Sequence, residues 1–188
     1  NTAVGHDALG DCTTGFSNVA VGHNALNALT DADENTAVGK DSLGALTTGN
    51  YNTAIGFESL ASLTTGTQLV AVGRHALYSN STGTQNTALG YSALYANTTG
   101  DSNTASGYFA LGSNTTGGNN TAYGRDSLYN NTTAGNNTAI GHYASRANTT
   151  GTQNTSVGSY AADSITTGSY NVALGVNALG TTTGSDKN

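Results

Sequence analysis

The chain has 188 residues, only 9% of them charged, and its formal charge of −6 includes just five Lys and Arg. So few cations exclude a basic nucleic-acid surface, because such a surface needs clustered Lys and Arg to displace the counterions of phosphate. The single cysteine excludes an intrachain disulfide and a multi-cysteine zinc site. No apolar run in the sequence approaches the roughly 20 residues of a membrane span, so we expect no membrane partner for this segment.

Leu, Ile, Val and Phe together number only 30, and so small an apolar content by itself favours disorder. The strict spacing of these residues favours an ordered repeat instead. A five-residue block returns every 17 residues without insertion or deletion. We therefore expect one repeat domain over residues 1–188, a fragment of a longer fibrous array. The repeats begin at Asn1, Asn18, Asn35, Asn52, Leu69, Asn86, Asn103, Asn120, Asn137, Asn154 and Asn171.

The block, positions one to five of each repeat, predicts a short strand followed by a turn. Position five is Gly in all eleven repeats, which indicates a positive φ or a close approach of another backbone segment. Position three is Ala in ten repeats, with Ser156 as the exception, so it is expected to point into a narrow interior. Because side chains alternate along a strand, positions two and four share the opposite face.

Positions eight and nine, which are Ala8 and Leu9 in the first repeat, predict a second short strand. Leu occupies position nine in nine of eleven repeats, and the departures are Ser145 and Ala162. Two strands and two turns fit into 17 residues, whereas a helix–turn–helix repeat needs about twice that length. We therefore predict an all-β parallel solenoid of eleven 17-residue coils, stacked about 4.8 Å apart into a rod roughly 50 Å long.

Position twelve begins with Cys12, continues with Leu in the early coils and Asn in the middle ones, and ends with Ile165 and Thr182. The aliphatic members indicate that the row is at least half buried, and Cys12 is interpreted as a small buried filler. Stacked amides can hydrogen-bond along a column, so the middle of the row predicts an amide ladder. Its five members are Asn80, Asn97, Asn114, Asn131 and Asn148.

Position four predicts an aliphatic row along the outer face of the strands. A narrow coil can bury only one face of its strand, so this row would leave a large apolar strip in water. Identical chains that associate about a long axis would cover it, and the chain is therefore predicted to be its own partner. Tyr123 interrupts the row and is expected to pack, or to distort packing, beside Ser106. The expected shared core is Val4, Val21, Val38, Ile55, Val72, Leu89, Ile140, Val157 and Leu174.

Three copies of the block resemble the core of the YadA-type head repeat of trimeric autotransporter adhesins, and are similar to repeats of bacteriophage-type tail-fibre proteins. They are Asn18-Val19-Ala20-Val21-Gly22, Leu69-Val70-Ala71-Val72-Gly73 and Asn171-Val172-Ala173-Leu174-Gly175. The resemblance extends over all eleven repeats and implies a left-handed parallel β-roll in three intertwined copies, with the position-four row at the trimer axis. It also implies an extracellular location, on a cell-surface appendage or a virion fibre. The chain departs from the family in its longer repeat, its frequent Thr at position two and its regular Thr-Thr-Gly turns.

Metal binding and catalysis have little support. His6 and His23 lie in one row of adjacent coils and could share a metal at about 5 Å. The row continues as Lys40, Phe57 and Arg74, which is no ligand set, so we interpret the two histidines as exposed turn residues. Catalysis needs a nucleophile, a base and an orienting group at one site, and no coil stands out as carrying all three. We predict no catalytic residue, no metal and no cofactor.

Tyrosines recur in register and predict a ligand surface. Tyr91 and Tyr108 share one row, while Tyr78 and Tyr95 share another with Tyr129 two coils further on. Exposed tyrosines beside Asn and Thr can contact sugar rings, which predicts glycan binding. The alternative is that the rings cover neighbouring turns or seams between chains.

The function predicted from sequence is a non-enzymatic fibre segment, a shaft or head of a bacterial surface adhesin or a tail-fibre-like appendage. It would make multivalent contact with glycans on a host or prey surface. One alternative is an ice-binding solenoid that uses the Thr2, Thr36, Thr53 and Thr87 row, although Val interrupts this row in three coils. Another is a passive spacer stalk that carries a separate tip or catalytic domain.

Overall fold

The computed structural model describes residues 1–181, which form an all-β parallel solenoid without an α-helix. We number the coils 1 to 11 by repeat. Each coil contributes one three-residue strand from positions two to four, and the strands form a single sheet in chain order. Equivalent residues pair across it, as Ala3 does with Ala20. The predicted parallel solenoid is confirmed. The strands are β1 (Thr2–Val4), β2 (Val19–Val21), β3 (Thr36–Val38), β4 (Thr53–Ile55), β5 (Val70–Val72), β6 (Thr87–Leu89), β7 (Thr104–Ser106), β8 (Thr121–Tyr123), β9 (Thr138–Ile140), β10 (Thr155–Val157) and β11 (Val172–Leu174).

The predicted second strand is wrong. Ala8 and Leu9 lie in a run of turns, and Leu9 has a φ of 55°. Left-handed backbone recurs at positions seven, nine and seventeen of the coils, at a cost of roughly 1–2 kcal/mol for each residue other than Gly. Hydrogen bonds between coils offset this cost: Asn24 N donates back to His6 O at 3.0 Å, and Leu9 N donates forward to Ala25 O at 3.0 Å. Main-chain hydrogen bonds between coils therefore continue past the strand, although the backbone there is not extended.

Position five requires Gly for the two reasons predicted from the sequence, a positive φ and a close approach of another backbone segment. Its φ lies between 121° and 141° in all eleven coils, a region that L side chains rarely adopt. A methyl group on Gly5 would also approach the carbonyl oxygen of Gly22 in the next coil to 2.5 Å. The strand therefore ends in a turn that only Gly permits.

The apolar core lies inside the coil and is built from small and medium side chains. Position three is buried throughout coils 2 to 11, and so are the leucines at position nine in coils 2 to 8. Each fully buried Leu contributes roughly 1.5–3 kcal/mol, which explains how a chain with few large apolar residues can fold. The buried position-nine leucines are Leu26, Leu43, Leu60, Leu77, Leu94, Leu111 and Leu128.

The apolar core is interrupted between coils 9 and 10. One buried cluster ends at Ala144, and a second begins at Ala161. Two of the exceptions noted in the sequence, Ser145 in the Leu row and Ser156 in the Ala row, meet at this boundary. Their hydroxyl oxygens are 2.7 Å apart and buried. Each substitution therefore supplies the hydrogen-bond partner of the other, which the spacing alone did not show.

The amide ladder predicted at position twelve is confirmed. Asn97 Nδ2 donates to Asn80 Oδ1 at 2.6 Å and to Gly100 O at 3.0 Å. The side-chain bond repeats along the column as far as Asn148. Asn148 Oδ1 is buried without a partner, because the next member of the row is Ile165. Thr182, the predicted last member, lies outside the described residues.

A second column of buried Asn occupies position one and was missed in the sequence. Asn35 Nδ2 donates to Gly49 O at 2.9 Å, and Asn35 Oδ1 accepts from the main-chain N of Asn52 at 3.0 Å. Each such Asn therefore connects the end of its own coil to the start of the next. The available signal was the constancy of Asn, which fills this position in ten of eleven repeats.

Candidate functional site

The outer face of the strands, positions two and four of all eleven coils, is called here the strand face. It alternates with the buried Ala of position three: in β2, Ala20 is fully buried whereas Val21 is 36% exposed. All nine residues predicted to form a shared core lie on this face, six of them exposed and three half-buried. The strand face contains no Asp, Glu, Lys, Arg or His. It is therefore an uncharged strip along the whole described solenoid.

Two residues make the strand face uneven. Ser106 in β7 and Tyr123 in β8 are direct partners across the parallel sheet. Ser106 is half-buried, whereas Tyr123 is 61% exposed. Within one chain Tyr123 therefore neither packs into the core nor disturbs the pairing of its strand.

A different surface, called here the aromatic edge, is formed by positions six, seven and ten of coils 3 to 10. Along position six, each ring lies next to a cation or to another ring. The Arg74 guanidinium lies over Phe57 at 5.3 Å and over Tyr91 at 5.9 Å. Tyr91 stacks on Tyr108 with ring centroids 5.3 Å apart, and Arg125 lies over Tyr108 at 5.5 Å. These are cation–π distances, so the row is a continuous ladder.

Position ten supplies a second line of rings beside the first. Tyr78 and Tyr95 stack at 5.3 Å with their planes only 5° apart. His75 contacts both rings at 5.4 and 6.2 Å and also contacts Tyr91 at 6.3 Å, which joins the two lines. The Nε2 atom of His75 lies 3.0 Å from a carboxylate oxygen of Glu58.

The fifth predicted tyrosine, Tyr129, joins the same surface through Phe109, 6.0 Å from it. Its ring covers Gly112, where an added methyl group would lie 3.0 Å from the ring carbons. All five tyrosines predicted to bind glycans therefore belong to one edge. Tyr91 and Tyr108 are exposed as expected, but Tyr78, Tyr95 and Tyr129 are half-buried. Neighbouring side chains occupy the ring faces, so the hydroxyls and ring edges are the groups that a ligand could reach.

The cations of the aromatic edge were missed in the sequence. Lys40, Arg74, Arg125 and Arg146, all the Lys and Arg among residues 1–181, occupy position six or ten. Arg146 lies 4.8 Å from the Tyr143 ring. The recurrence of Arg beside Phe and Tyr at a spacing of 17 residues was the available signal. These charges support the packing of the rings and do not form a basic patch.

Charge pairs accompany the cations. Arg125 Nε donates to Asp126 at 3.1 Å, and this bond raises the pKa of the guanidinium. Burial acts to raise the pKa of the Asp41 carboxyl. Hydrogen bonds from Asn24 and Lys40, with the charges of Lys40 and His23, outweigh burial and hold that pKa below its usual value. Asp41 therefore remains ionised to lower pH than an isolated Asp.

The two histidines predicted to share a turn row are stacked and exposed. The rings of His6 and His23 are 5.3 Å apart, and His6 Nδ1 lies 2.9 Å from Asp7. Within residues 1–181, no three His, Cys, Asp or Glu side chains form a group suited to a metal ion. Cys12 is half-buried, and its thiol is 3.6 Å from Gly15 O.

Comparisons with protein-family models, with curated proteins and with solved structures found no match to this chain. In the described part of the chain, no helix has the length and apolarity needed to cross a membrane.

Proposed function

We propose that the chain is a non-enzymatic segment of an extracellular fibre in which identical copies associate through the strand face. The observation that carries this proposal is the uncharged face itself, which exposes aliphatic side chains in coil after coil. A monomeric protein seldom leaves so continuous an apolar strip in water. Copies with a net charge of −6 repel one another elsewhere, so an uncharged face is the surface through which they could meet.

The size of the strand face suits such an association. Ten steps of about 4.8 Å, multiplied by three residues of about 3.3 Å, give a flat area of roughly 500 Å² per chain. Two opposed faces together approach about 1,000 Å², the size at which specific interfaces begin. The resemblance to trimeric adhesins implies three copies about one axis.

The aromatic edge supports an adhesive role for the same fibre. It lies on positions six, seven and ten, outside the strand face, so it would stay accessible when copies associate. The hydroxyls of Tyr91 and Tyr108 are available for hydrogen bonds with the hydroxyl groups of surface glycans. Identical weak sites on several chains would raise avidity without any single strong site. A shaft or head of a surface adhesin or tail-fibre-like appendage fits this combination.

Ice binding is a second candidate, and one observation favours it. The hydroxyls at position two, such as those of Thr36 and Thr53, make no side-chain hydrogen bond within residues 1–181 and point away from the core. On parallel strands about 4.8 Å apart, they form a regular row that could order water. This role would use the strand face itself, so it competes with self-association.

The molar mass of the assembly, measured by light scattering over a range of concentrations, separates these candidates. The fibre proposal expects a multiple of the chain mass, with three as the expected number. A folded monomer would contradict it and favour ice binding, which thermal hysteresis would then test directly. A glycan array tests adhesion separately. Loss of signal in Tyr91→Ala and Tyr108→Ala, with Tyr51→Ala from another edge as the control, would support the aromatic edge as the contact.

A further inference from the structure

Two adjacent coils depart from the aliphatic row of the strand face in opposite directions. Ser106 in coil 7 is the smallest side chain in that row, and Tyr123 in coil 8 is the largest. The two are paired residues of neighbouring strands, so they are separated by about 4.8 Å along the rod. All nine other coils have Val, Ile or Leu at this position. The volume missing in one layer is thus matched by excess volume in the next.

The Tyr123 ring is not used by its own chain. Ring contacts in residues 1–181 link the tyrosines of the aromatic edge, but none of them involves Tyr123. The side chain is 61% exposed on a face whose other residues are aliphatic, Thr or Ser. Copies that associate through this face must therefore accommodate the ring.

Only one alignment of the copies gives every Tyr123 ring the same surroundings. If copies run parallel and in register, all Ser106 side chains lie in one layer and all Tyr123 rings in the next. Each ring can then lie over the hollow left by serine. In a fully overlapped antiparallel pair, coil 8 would face coil 4 and coil 7 would face coil 5. Tyr123 would then press on Ile55 while Ser106 faced Val72, and overpacking in one layer and a void in another both destabilise.

A parallel arrangement shifted by one coil is also disfavoured. It would place the ring of one copy over Ser106 of the next, but the ring of that next copy would meet Ile140 of the first. Such a head-to-tail offset cannot close into a symmetric ring. The other layers of the row are too similar in size to choose between alignments, and the strand face has no charge pair to do so.

We propose that Ser106 and Tyr123 form a steric key that aligns identical copies of this chain parallel and in register. The key depends on the proposed function, since it requires self-association through the strand face. What the key adds is that Ser106 and Tyr123 set the alignment of the copies and are energetically coupled.

The alignment is tested by cross-linking the full chain. Cys12→Leu removes the native thiol and matches the Leu of the following coils. Val38→Cys in this background places one thiol in coil 3. Parallel, in-register copies bring identical thiols within disulfide reach, so mild oxidation is expected to give a covalent dimer on a non-reducing gel. Antiparallel copies would cross-link only when Val38→Cys chains are mixed with Ile140→Cys chains, since coil 3 would then face coil 9, and that result would overturn the proposal.

The key is tested by a double-mutant cycle on the concentration at which assembly occurs. Ser106→Ile fills the hollow and is expected to weaken assembly about tenfold. Adding Tyr123→Ile should restore assembly to within about threefold of the parent, because the two residues are coupled. Thr116→Ile, an enlargement on an exposed turn outside the strand face, is the control and should leave assembly unchanged.

The possible outcomes separate the key from the fibre proposal. Effects of Ser106→Ile and Tyr123→Ile that simply add would overturn the key while leaving the fibre proposal standing. A parent chain that remains monomeric at every concentration would overturn both.

Discussion

Coils 2 to 4 and coils 5 to 9 fill the same interior position with opposite chemistry. Position twelve is a buried Leu in the first group and a buried Asn in the second. Leu46 stabilises its column by removing apolar surface from water, and neighbouring leucines need no particular orientation. Asn114 stabilises its column through bonds to Asn97 and Gly117, 2.8 and 2.9 Å long, while its oxygen accepts from Asn131 at 2.9 Å.

The difference shows that the same column accommodates either chemistry, and that an amide oxygen loses its partner where Asn is followed by an aliphatic residue. A column of leucines tolerates changes of shape, because dispersion and hydrophobic burial have no direction. In a column of amides, each Nδ2 needs an acceptor in the preceding coil and each Oδ1 needs a donor in the next coil. Each member therefore depends on its neighbours. The unpaired oxygen of Asn148, where the Asn column meets Ile165, is the cost of one such boundary.

The largest expected effect comes from Leu46→Asn, which places one amide in the Leu column. The variant loses the burial of Leu and leaves its new oxygen without a donor, because the next coil offers Leu63. We expect the free energy of unfolding to fall by about 4 kcal/mol. Urea denaturation at fixed protein concentration measures this, with Leu46→Met as the volume-conserving control. A loss no greater than that of the control would show that columns can be mixed freely.

The reverse change, Asn114→Leu, should have a smaller effect of about 2 kcal/mol. Burial of the new Leu compensates in part, but Asn97 loses the donor to its oxygen and Asn131 loses an acceptor. Hydrogen exchange of the amides in coils 6 to 8 would show where protection is lost. The control is Thr116→Val on the exposed turn row. If protection were lost in coils 2 to 4 but kept in coils 6 to 8, the proposed role of the Asn column in stability would be contradicted.

Ile165→Asn refines the comparison, because it is also an aliphatic-to-Asn change at position twelve. Here the new side chain can donate to Asn148 Oδ1, which is buried and unpaired. The satisfied acceptor should recover about 1–3 kcal/mol of the lost burial, so we expect a net loss of about 1 kcal/mol, well below that of Leu46→Asn. Parallel urea titrations of the two variants make the test, and equal losses would mean that the end of the ladder offers no acceptor.

The smallest effect is expected at the surface of the Leu region, at Asp41. Its pKa is lowered in the folded state, so its contribution is present above the unfolded value of about 3.9. That contribution is lost as the pH falls through the folded pKa. Asp41→Asn should cost about 1 kcal/mol or less at neutral pH and nothing at the acid end. Unfolding measured from pH 7 downward checks this, with the exposed Asp31→Asn as the control.

Much of the fold could be predicted because the same weak signals recur eleven times. The invariant Gly, the buried Ala and the Asn column at position twelve each predicted the structure found, since stacking places equivalent residues side by side. The second strand could not be predicted correctly. Ala8 and Leu9 read as a strand fragment, but the left-handed φ of Leu9 depends on bonds to the next coil.

The candidate sites show the same limit. The outward row at position four followed from alternation along a strand, and the register of Tyr78 with Tyr95 followed from the period. The sequence did not show that the tyrosines lie on one edge with Arg74, Arg125 and His75, because it does not show that positions six, seven and ten are close together in space. Turn geometry decides that convergence, and three positions that are separated in sequence carry no local pattern that reveals it.

The sequence by itself determined the period, the coil boundaries, the inward and outward sides of each strand and the columns that stack. These follow from a strict repeat and from side-chain alternation, which are properties of any extended chain. The tertiary structure alone decided the single strand per coil, the amide column at position one, the Ser145 and Ser156 pair and the aromatic edge. Each of these depends on backbone angles or hydrogen-bond partners supplied from other positions, often in the next coil, and such partners are defined only after the chain has folded.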